Sequence, residues 1–125
     1  MAEKLYTVAE ANALLPKLKP LLERVRETQK KLAEDKTVAM VREKAAQNGG
    51  GVPGKELAEL TRTLEADLKQ LQEWSIVLRD PAIGLIDFLH QRGNQVVFLC
   101  WKLGEGNQIE WWHPIDTGIA GRQRL

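Results

Sequence analysis

The sequence predicts an α+β fold: a long antiparallel helical hairpin, its first helix kinked near Pro16, packed on a three-stranded antiparallel β-meander. Two observations support this prediction. Apolar residues recur at three- and four-residue steps in the N-terminal part, as on one face of a helix. Beyond Pro81 they gather instead in β-branched and aromatic runs separated by glycine-containing turns. We expect one domain, with the hairpin at 7–48 and 54–75, the meander at 84–113 and a C-terminal tail at 114–125.

The first helix should begin at a capping box, because Thr7 is followed three residues later by Glu10. Pro16 lacks an amide hydrogen and should kink the helix or start a fresh one, and Pro20 is a second weak point. The apolar pattern fades near Asp35, which is a further candidate for a break. The predicted apolar stripe comprises Ala11, Leu14, Leu18, Leu21, Val25 and Leu32.

A glycine-rich segment at 48–54 separates the two predicted helices, because three consecutive glycines lose too much backbone entropy when they are ordered. Gly49, Gly51 and Gly54 also match the G-x-G-x-x-G pattern, but here the pattern follows a helix rather than a strand, so we prefer a linker to a dinucleotide loop. The second helix has its own apolar stripe, which should pack against the stripe of the first helix in an antiparallel hairpin. This stripe comprises Leu57, Thr61, Leu64, Leu68 and Leu71.

Three runs near the C-terminus predict the strands of the meander: GLIDFLHQ, QVVFLCWKL and QIEWWHPI. The middle run is apolar at every position from Val96 to Trp101, so both faces of that strand should be covered. The hairpin covers only one face. The other face must therefore meet the N-terminal helix, the tail or a second copy of the chain, which makes a homodimer one of the expected arrangements.

Composition and charge exclude several classes of protein. Lys and Arg number 18 against 17 Asp and Glu, so there is no strong nucleic-acid signal. The single cysteine, Cys100, cannot form an intrachain disulfide, and the N-terminus matches neither a signal peptide nor a transit peptide. No stretch approaches the roughly 18 apolar residues of a membrane span. We expect a cytoplasmic protein that does not contact membranes.

Polar residues inside otherwise apolar strands are informative, because burying a carboxylate or an imidazole is costly without a partner. Asp87, Glu110 and His113 are such residues. If the first turn of the meander has two residues, Asp87 pairs with Cys100. If the second loop closes symmetrically, Phe98 pairs with His113, and Asp87, Cys100 and His113 lie within diagonal reach on one face.

Three interpretations compete for this cluster. We prefer a hydrogen-bonded structural group that fixes the register of the sheet. The second is a metal site at Asp87, His113 and Asp116, for which a divalent ion is compatible although the sequence specifies no cofactor. The third is catalysis, with His113 as a base oriented by Asp87 or with Cys100 as a nucleophile. The wider candidate ligand-binding set is Asp87, Glu105, His113, Asp116 and Arg122.

The C-terminal tail is small, glycine-rich and basic. Arg122 could pair with Asp116 or Asp87, or it could bind an anion in a backbone nest. We prefer a solvated tail in which an arginine pairs with a carboxylate.

Several motifs taken together resemble a known family. They are YTVAEAN with LLP at 6–16, LRDP at 78–81, GLIDF at 84–88, CWKLGE at 100–105, and WHPIDTG at 112–118 followed by Gly121-Arg122. This ordered set resembles the prokaryotic family catalogued as domain of unknown function 2203. The resemblance implies a small bacterial or archaeal protein. It does not imply any particular activity, because the family has no established one. The family motifs include Asp80, Asp87, Trp101, Glu105, His113, Asp116 and Arg122.

The function that we predict is that of a non-enzymatic homodimeric binding or scaffolding module, whose helical hairpin also offers a surface to a protein partner. Because the sequence carries no recognised catalytic signature, we prefer a non-enzymatic function and keep catalysis as an alternative. The alternative is a metal- or small-molecule-binding protein, or a hydrolase-like enzyme, with its site at Asp87, His113, Asp116 and Arg122.

Overall fold

The computed structural model describes residues 3–45 and 54–125, except for the side chains of 35–45. Two helices precede a five-stranded antiparallel sheet whose strands follow one another in chain order. The elements are α1 (Val8–Ala45), α2 (Gly54–Glu73), β1 (Ile76–Asp80), β2 (Leu85–Arg92), β3 (Gln95–Trp101), β4 (Trp111–Pro114), a short 3-10 helix (Ile119–Gly121) and β5 (Gln123–Arg124). The α+β class is confirmed. Within the described ranges, no helix is long and apolar enough to cross a bilayer.

Helix α1 begins at the predicted capping box. The Thr7 amide donates to Glu10 Oε1, and the Glu10 amide donates to Thr7 Oγ1, both at 3.0 Å. The helix then runs unbroken past Pro16 and Pro20 to Ala45, so the fresh helix expected at Pro16 and the break near Asp35 are wrong. Both prolines are exposed and lie four residues apart on the solvent side, where water can satisfy the carbonyls that they leave unpaired. A kink at Pro16 stays a prediction.

The hydrophobic core lies between one face of the sheet and the first half of α1. From the sheet it takes Ile86, Phe88, Leu99 and Trp101, all at most 1% exposed. The buried face of α1 is wider than the predicted stripe, because a helix that packs on a sheet buries two adjacent rows rather than one. Its buried apolar residues are Ala11, Leu15, Leu18, Leu21, Leu22 and Val25.

The expectation of three strands is wrong, because the two outer strands of the sheet were missed. β1 follows α2 almost directly, after Ser75 turns the chain with a positive φ of 57°. It pairs with β2, ends at Asp80 and is only five residues long, so it gives little periodic signal. β5 is a two-residue polar strand that pairs with β4. Both depend on a neighbouring strand rather than on their own pattern of apolar residues.

The register predicted for the three central strands is confirmed. Asp87 lies opposite Cys100, Cys100 opposite Trp111, and Phe98 opposite His113. A two-residue turn joins β2 to β3, with φ of 60° at Gly93. Glycine at the first central position of such a turn matches the right-handed twist of the strands.

Both faces of β3 are covered, as predicted. The five residues from Val97 to Trp101 are all buried. One face meets the helices, and the C-terminal tail lies over part of the other, where Ile115 and Ile119 line a cavity with Leu85 and Cys100. The tail was one of the three coverings expected from the sequence. The predicted glycine linker, the dinucleotide-type pattern apart from Gly54, and residues 46–48 of the predicted first helix lie outside the described residues.

Tyr6 connects the start of the chain to the sheet and to the end of α2. Its amide donates to the Leu89 carbonyl at 2.6 Å, and its own carbonyl lies 2.7 Å from His90 Nδ1. Its hydroxyl donates to the Trp74 carbonyl at 2.5 Å, and its ring packs edge-on against Phe88. Burial, and then the charge of Glu10, raise the pKa of the Tyr6 hydroxyl above 10.0.

Candidate functional site

Asp87 is the centre of the predicted cluster and is 1% exposed in the middle of β2. Its Oδ2 accepts a hydrogen bond from Arg79 Nε at 2.8 Å and lies 2.9 Å from His113 Nε2. Its Oδ1 is buried and has no hydrogen-bond partner among the described residues. One carboxylate oxygen is therefore fully used, and the other remains able to accept a donor or a cation.

His113 lies on β4 and is also 1% exposed. Its Nδ1 is 2.8 Å from the Pro114 carbonyl oxygen, which only accepts, so this nitrogen carries a hydrogen. The other nitrogen faces Asp87 Oδ2, which also only accepts when it is ionised. The 2.9 Å separation is a hydrogen-bond distance, so a shared proton holds the imidazole against the carboxylate.

Cys100 is a buried free thiol on β3, between Asp87 and Trp111 in the register. Burial is the main cause that raises the pKa of this thiol to about 12, and the negative charge of Asp87 adds to the effect. A thiol with that pKa is almost entirely protonated near neutral pH and is a poor nucleophile. This environment does not support the expectation that Cys100 acts as a nucleophile.

A cavity of about 190 Å³ adjoins the cluster beneath the tail. Asp87, Cys100 and His113 line one side, and the exposed Asp116 and the partly exposed Arg79 line the rim. Asp116 therefore shares the cavity with Asp87 and His113, as the sequence suggested. Its carboxylate is not part of the close triangle of donors that the structure forms among the described residues.

Glu105 and Arg122 form a separate ion pair next to the cluster. Arg122 Nη2 lies 2.6 and 2.8 Å from the two carboxylate oxygens of Glu105, and both side chains are largely buried. The sequence predicted that an arginine of the tail pairs with a carboxylate, and Arg122 does so, but with Glu105 rather than with Asp116 or Asp87, and in a largely buried position rather than in solvent. The backbone explains the difference, because Glu105 Oε1 also accepts from the Lys102 amide and is held in place at the loop before β4. The charges of both residues influence Cys100.

Arg79 was not predicted as a site residue. It lies on β1, two positions beyond Val77, the partner of Asp87. Its guanidinium also packs 4.8 Å from the centre of the Phe98 ring. The signal was present in the LRDP motif, but Arg79 could be placed beside Asp87 only once β1 was known to be a strand. Glu110, which was expected to be buried, is exposed and lies 3.7 Å from Arg124.

The chemistry of the cluster follows from these contacts. A general base needs a free lone pair near its substrate, and both ring nitrogens of His113 are engaged. His113 is therefore not placed to act as a base in this state. If the proton shared with Asp87 leaves, the cluster offers a metal one carboxylate oxygen, one thiol sulfur and one imidazole nitrogen, from Asp87, Cys100 and His113.

Helix α2 presents a second candidate surface. Over its 20 residues only Asp67 and Leu71 are buried. Asp67 receives two hydrogen bonds from Arg24 of α1, at 2.8 and 2.7 Å, which fix how the two helices pair. The remaining leucines of α2 keep some exposed surface: Leu57, Leu60 and Leu64 are partly buried, and Leu68 is 37% exposed.

The comparisons with known proteins agree with the family resemblance. No curated protein and no solved structure matches the chain significantly. A family model described as an uncharacterized conserved protein matches residues 4–125, which include both helices, the whole sheet and every residue of the cluster. The chain therefore belongs to the uncharacterized conserved protein family DUF2203.

Proposed function

We propose that this protein is a non-enzymatic binding module that acts as a homodimer, with α2 at the two-fold interface. The observation that supports this proposal is the apolar stripe of α2: Leu71 is buried and Leu64 packs partly on the core of its own chain, whereas Leu68 is 37% exposed. An amphipathic helix gains most of its stability by burying such a stripe. A partner that covers the stripe would bury surface that the single chain leaves in contact with water.

The stripe is self-complementary about Leu64. A two-fold axis through Leu64 relates two antiparallel copies of α2 and places Leu60 of one copy opposite Leu68 of the other. Leu64 then meets its own symmetry mate at the centre. The apolar residues of α2 thus match themselves under the simplest dimer symmetry, and this match favours a second copy over an unrelated partner.

The test is the mass of the protein in solution, measured by light scattering after size-exclusion chromatography. The native protein is expected at twice the chain mass of 14.1 kDa. Leu68→Glu should give monomers without affecting folding, because this side chain is already exposed. A monomeric native protein, or a dimer that persists in Leu68→Glu, would contradict the proposal.

Lys69→Glu is the matched control, because it changes the charge of α2 at a position about 140° around the helix from Leu64 and should leave the dimer unchanged. Equal effects of Leu68→Glu and Lys69→Glu would refute the proposed interface.

We also propose that the protein resides in the cytoplasm, since its single cysteine is a free buried thiol and reducing compartments preserve such thiols. A protein partner at the hairpin would have to compete with the second copy for the same stripe. Mass measurement in the presence of a candidate partner would distinguish the two.

A second candidate function is binding of a metal ion or small molecule in the cavity beneath the tail. The observation that favours it is the buried Oδ1 of Asp87, which lacks a partner among the described residues. Asp116 on the rim and the nearby Arg122 were expected to contribute. Because both nitrogens of His113 are engaged, we restrict this candidate to binding and do not extend it to hydrolysis.

A further inference from the structure

Asp87, Cys100 and His113 form a triangle of donor atoms drawn from three neighbouring strands. One donor atom from each residue lies within 4.8 Å of the other two, and all three residues are buried. Oxygen, sulfur and nitrogen donors in a group of this size form the type of ligand set that holds zinc in proteins. The strand register brings them together without help from any loop.

We propose that this cluster is a zinc site in which Asp87 Oδ1, Cys100 Sγ and His113 Nε2 are the ligands. The proposal rests on the second candidate function, because it specifies what binds there, and it is independent of dimerisation. The buried Oδ1 without a partner is the observation that points to a ligand rather than to a closed hydrogen-bond network.

The surrounding contacts orient each ligand. The Pro114 carbonyl holds the Nδ1 hydrogen of His113, which leaves Nε2 as the nitrogen that coordinates. Arg79 binds Oδ2 of Asp87 and thereby fixes the carboxylate while Oδ1 stays unoccupied by protein. Outer contacts of this kind are what zinc ligands in proteins normally have.

The contact between His113 Nε2 and Asp87 Oδ2, at 2.9 Å, brings the imidazole and the carboxylate close enough to share one ion. Zinc binds oxygen, nitrogen and sulfur donors at about 2.0 to 2.3 Å, so the three side chains, whose donor atoms lie within 4.8 Å of one another, must move closer together on binding.

Coordination must displace protons. The Cys100 thiol loses its proton to solvent as its sulfur lone pair binds the ion, and the proton shared by His113 and Asp87 also leaves. The positive charge of the metal offsets the burial and the nearby carboxylate that hold the pKa of the thiol high. The fourth position opens into the cavity, where Asp116 lines the wall and water has room to bind. In this proposal Cys100 replaces Asp116 in the ligand set that was expected from the sequence.

The experiment is a titration of the purified native protein with Co²⁺ and with Zn²⁺. Cobalt bound to a thiolate gives a sulfur-to-metal charge-transfer absorption, which reports Cys100 directly and does not require a variant to fold. We expect one ion per chain, the charge-transfer band, and displacement of cobalt by zinc. Cys100→Ser should remove the band, and His113→Gln should weaken binding by about tenfold or more. His90→Gln is the matched control outside the cluster and should bind as the native protein does.

Native protein that binds neither ion stoichiometrically would overturn the proposal, as would cobalt binding without the charge-transfer band. Binding unchanged in Cys100→Ser and His113→Gln would also overturn it. If neither metal binds but a small organic molecule stabilises the native protein, the second candidate function is supported and the assignment to zinc is refuted. These outcomes are independent of the mass measurement that tests the dimer.

Discussion

Removing the carboxylate of Asp87 should be among the most damaging single changes in the sheet. In Asp87→Ala, His113 loses its partner while it remains 1% exposed, and Arg79 loses its hydrogen bond. An unsatisfied buried polar group costs about 1 to 3 kcal/mol. Because the Arg79 side chain is 42% exposed, solvent limits its share to less than about 1 kcal/mol. The expected loss of unfolding free energy is therefore about 1 to 4 kcal/mol.

The assay is urea unfolding of the metal-free protein, followed by tryptophan fluorescence and circular dichroism. For a chain of this length the loss corresponds to a fall in Tm of about 10 °C. Asp116→Ala is the control, because the side chain is exposed and should change the free energy by less than about 0.5 kcal/mol. Asp87→Asn should fall between the two, since its amide can donate to a neutral His113. A loss below about 1 kcal/mol for Asp87→Ala would refute the argument from burial.

Two further changes test local features of the fold. Gly84→Ala should cost about 2 to 4 kcal/mol, because φ is 62° and the new Cβ would lie 2.5 Å from Leu103 Cγ. Gly93→Ala has a similar φ of 60° but open space, and should cost about 1 kcal/mol; equal losses in urea unfolding would contradict this account. Iodoacetamide should modify Cys100 at pH 8 roughly a thousandfold more slowly in the native protein than in urea, since the folded pKa is about 12 against 9.0. Because the thiol ionises more readily in the unfolded chain, the free energy of unfolding should be highest below about pH 9 and should fall as the pH rises toward about 12. Cys100→Ser lacks this thiol, so its free energy of unfolding should fall less over the same range. An identical fall in both proteins would contradict the raised pKa.

Much of the candidate site could be predicted from the sequence because the strand register was determined locally. Two short connections set the pairing of three strands, and alternation then put Asp87, Cys100 and His113 on one face. Burying a carboxylate in an apolar strand costs free energy unless partners are present, so Asp87 was expected to have partners. The predicted register then identified Cys100 and His113 as its neighbours on the adjoining strands.

The missed features depend on tertiary contacts. Arg79 joins the site only because β1 adds to the edge of the sheet beside β2, and β1 is too short, at five residues, to be predicted as a strand from its own sequence pattern. Arg122 binds Glu105 rather than Asp116 because the backbone amide of Lys102 fixes that carboxylate first. Continuity of α1 through Pro16 likewise depends on which side of the helix the proline faces, and this is known only once the helix is packed.

The attachment of Tyr6 has a consequence for the order of folding. Each strand of the sheet pairs with its neighbour in the chain, so these contacts close short loops and form readily. The contacts of Tyr6 with Trp74 and His90 span 68 and 84 residues, and closing such long loops costs more chain entropy. We expect the N-terminal segment to dock after the sheet has assembled and to detach first when the native state fluctuates. The amide hydrogen of Tyr6, bonded to the Leu89 carbonyl, should then exchange with solvent sooner than those in the centre of β3.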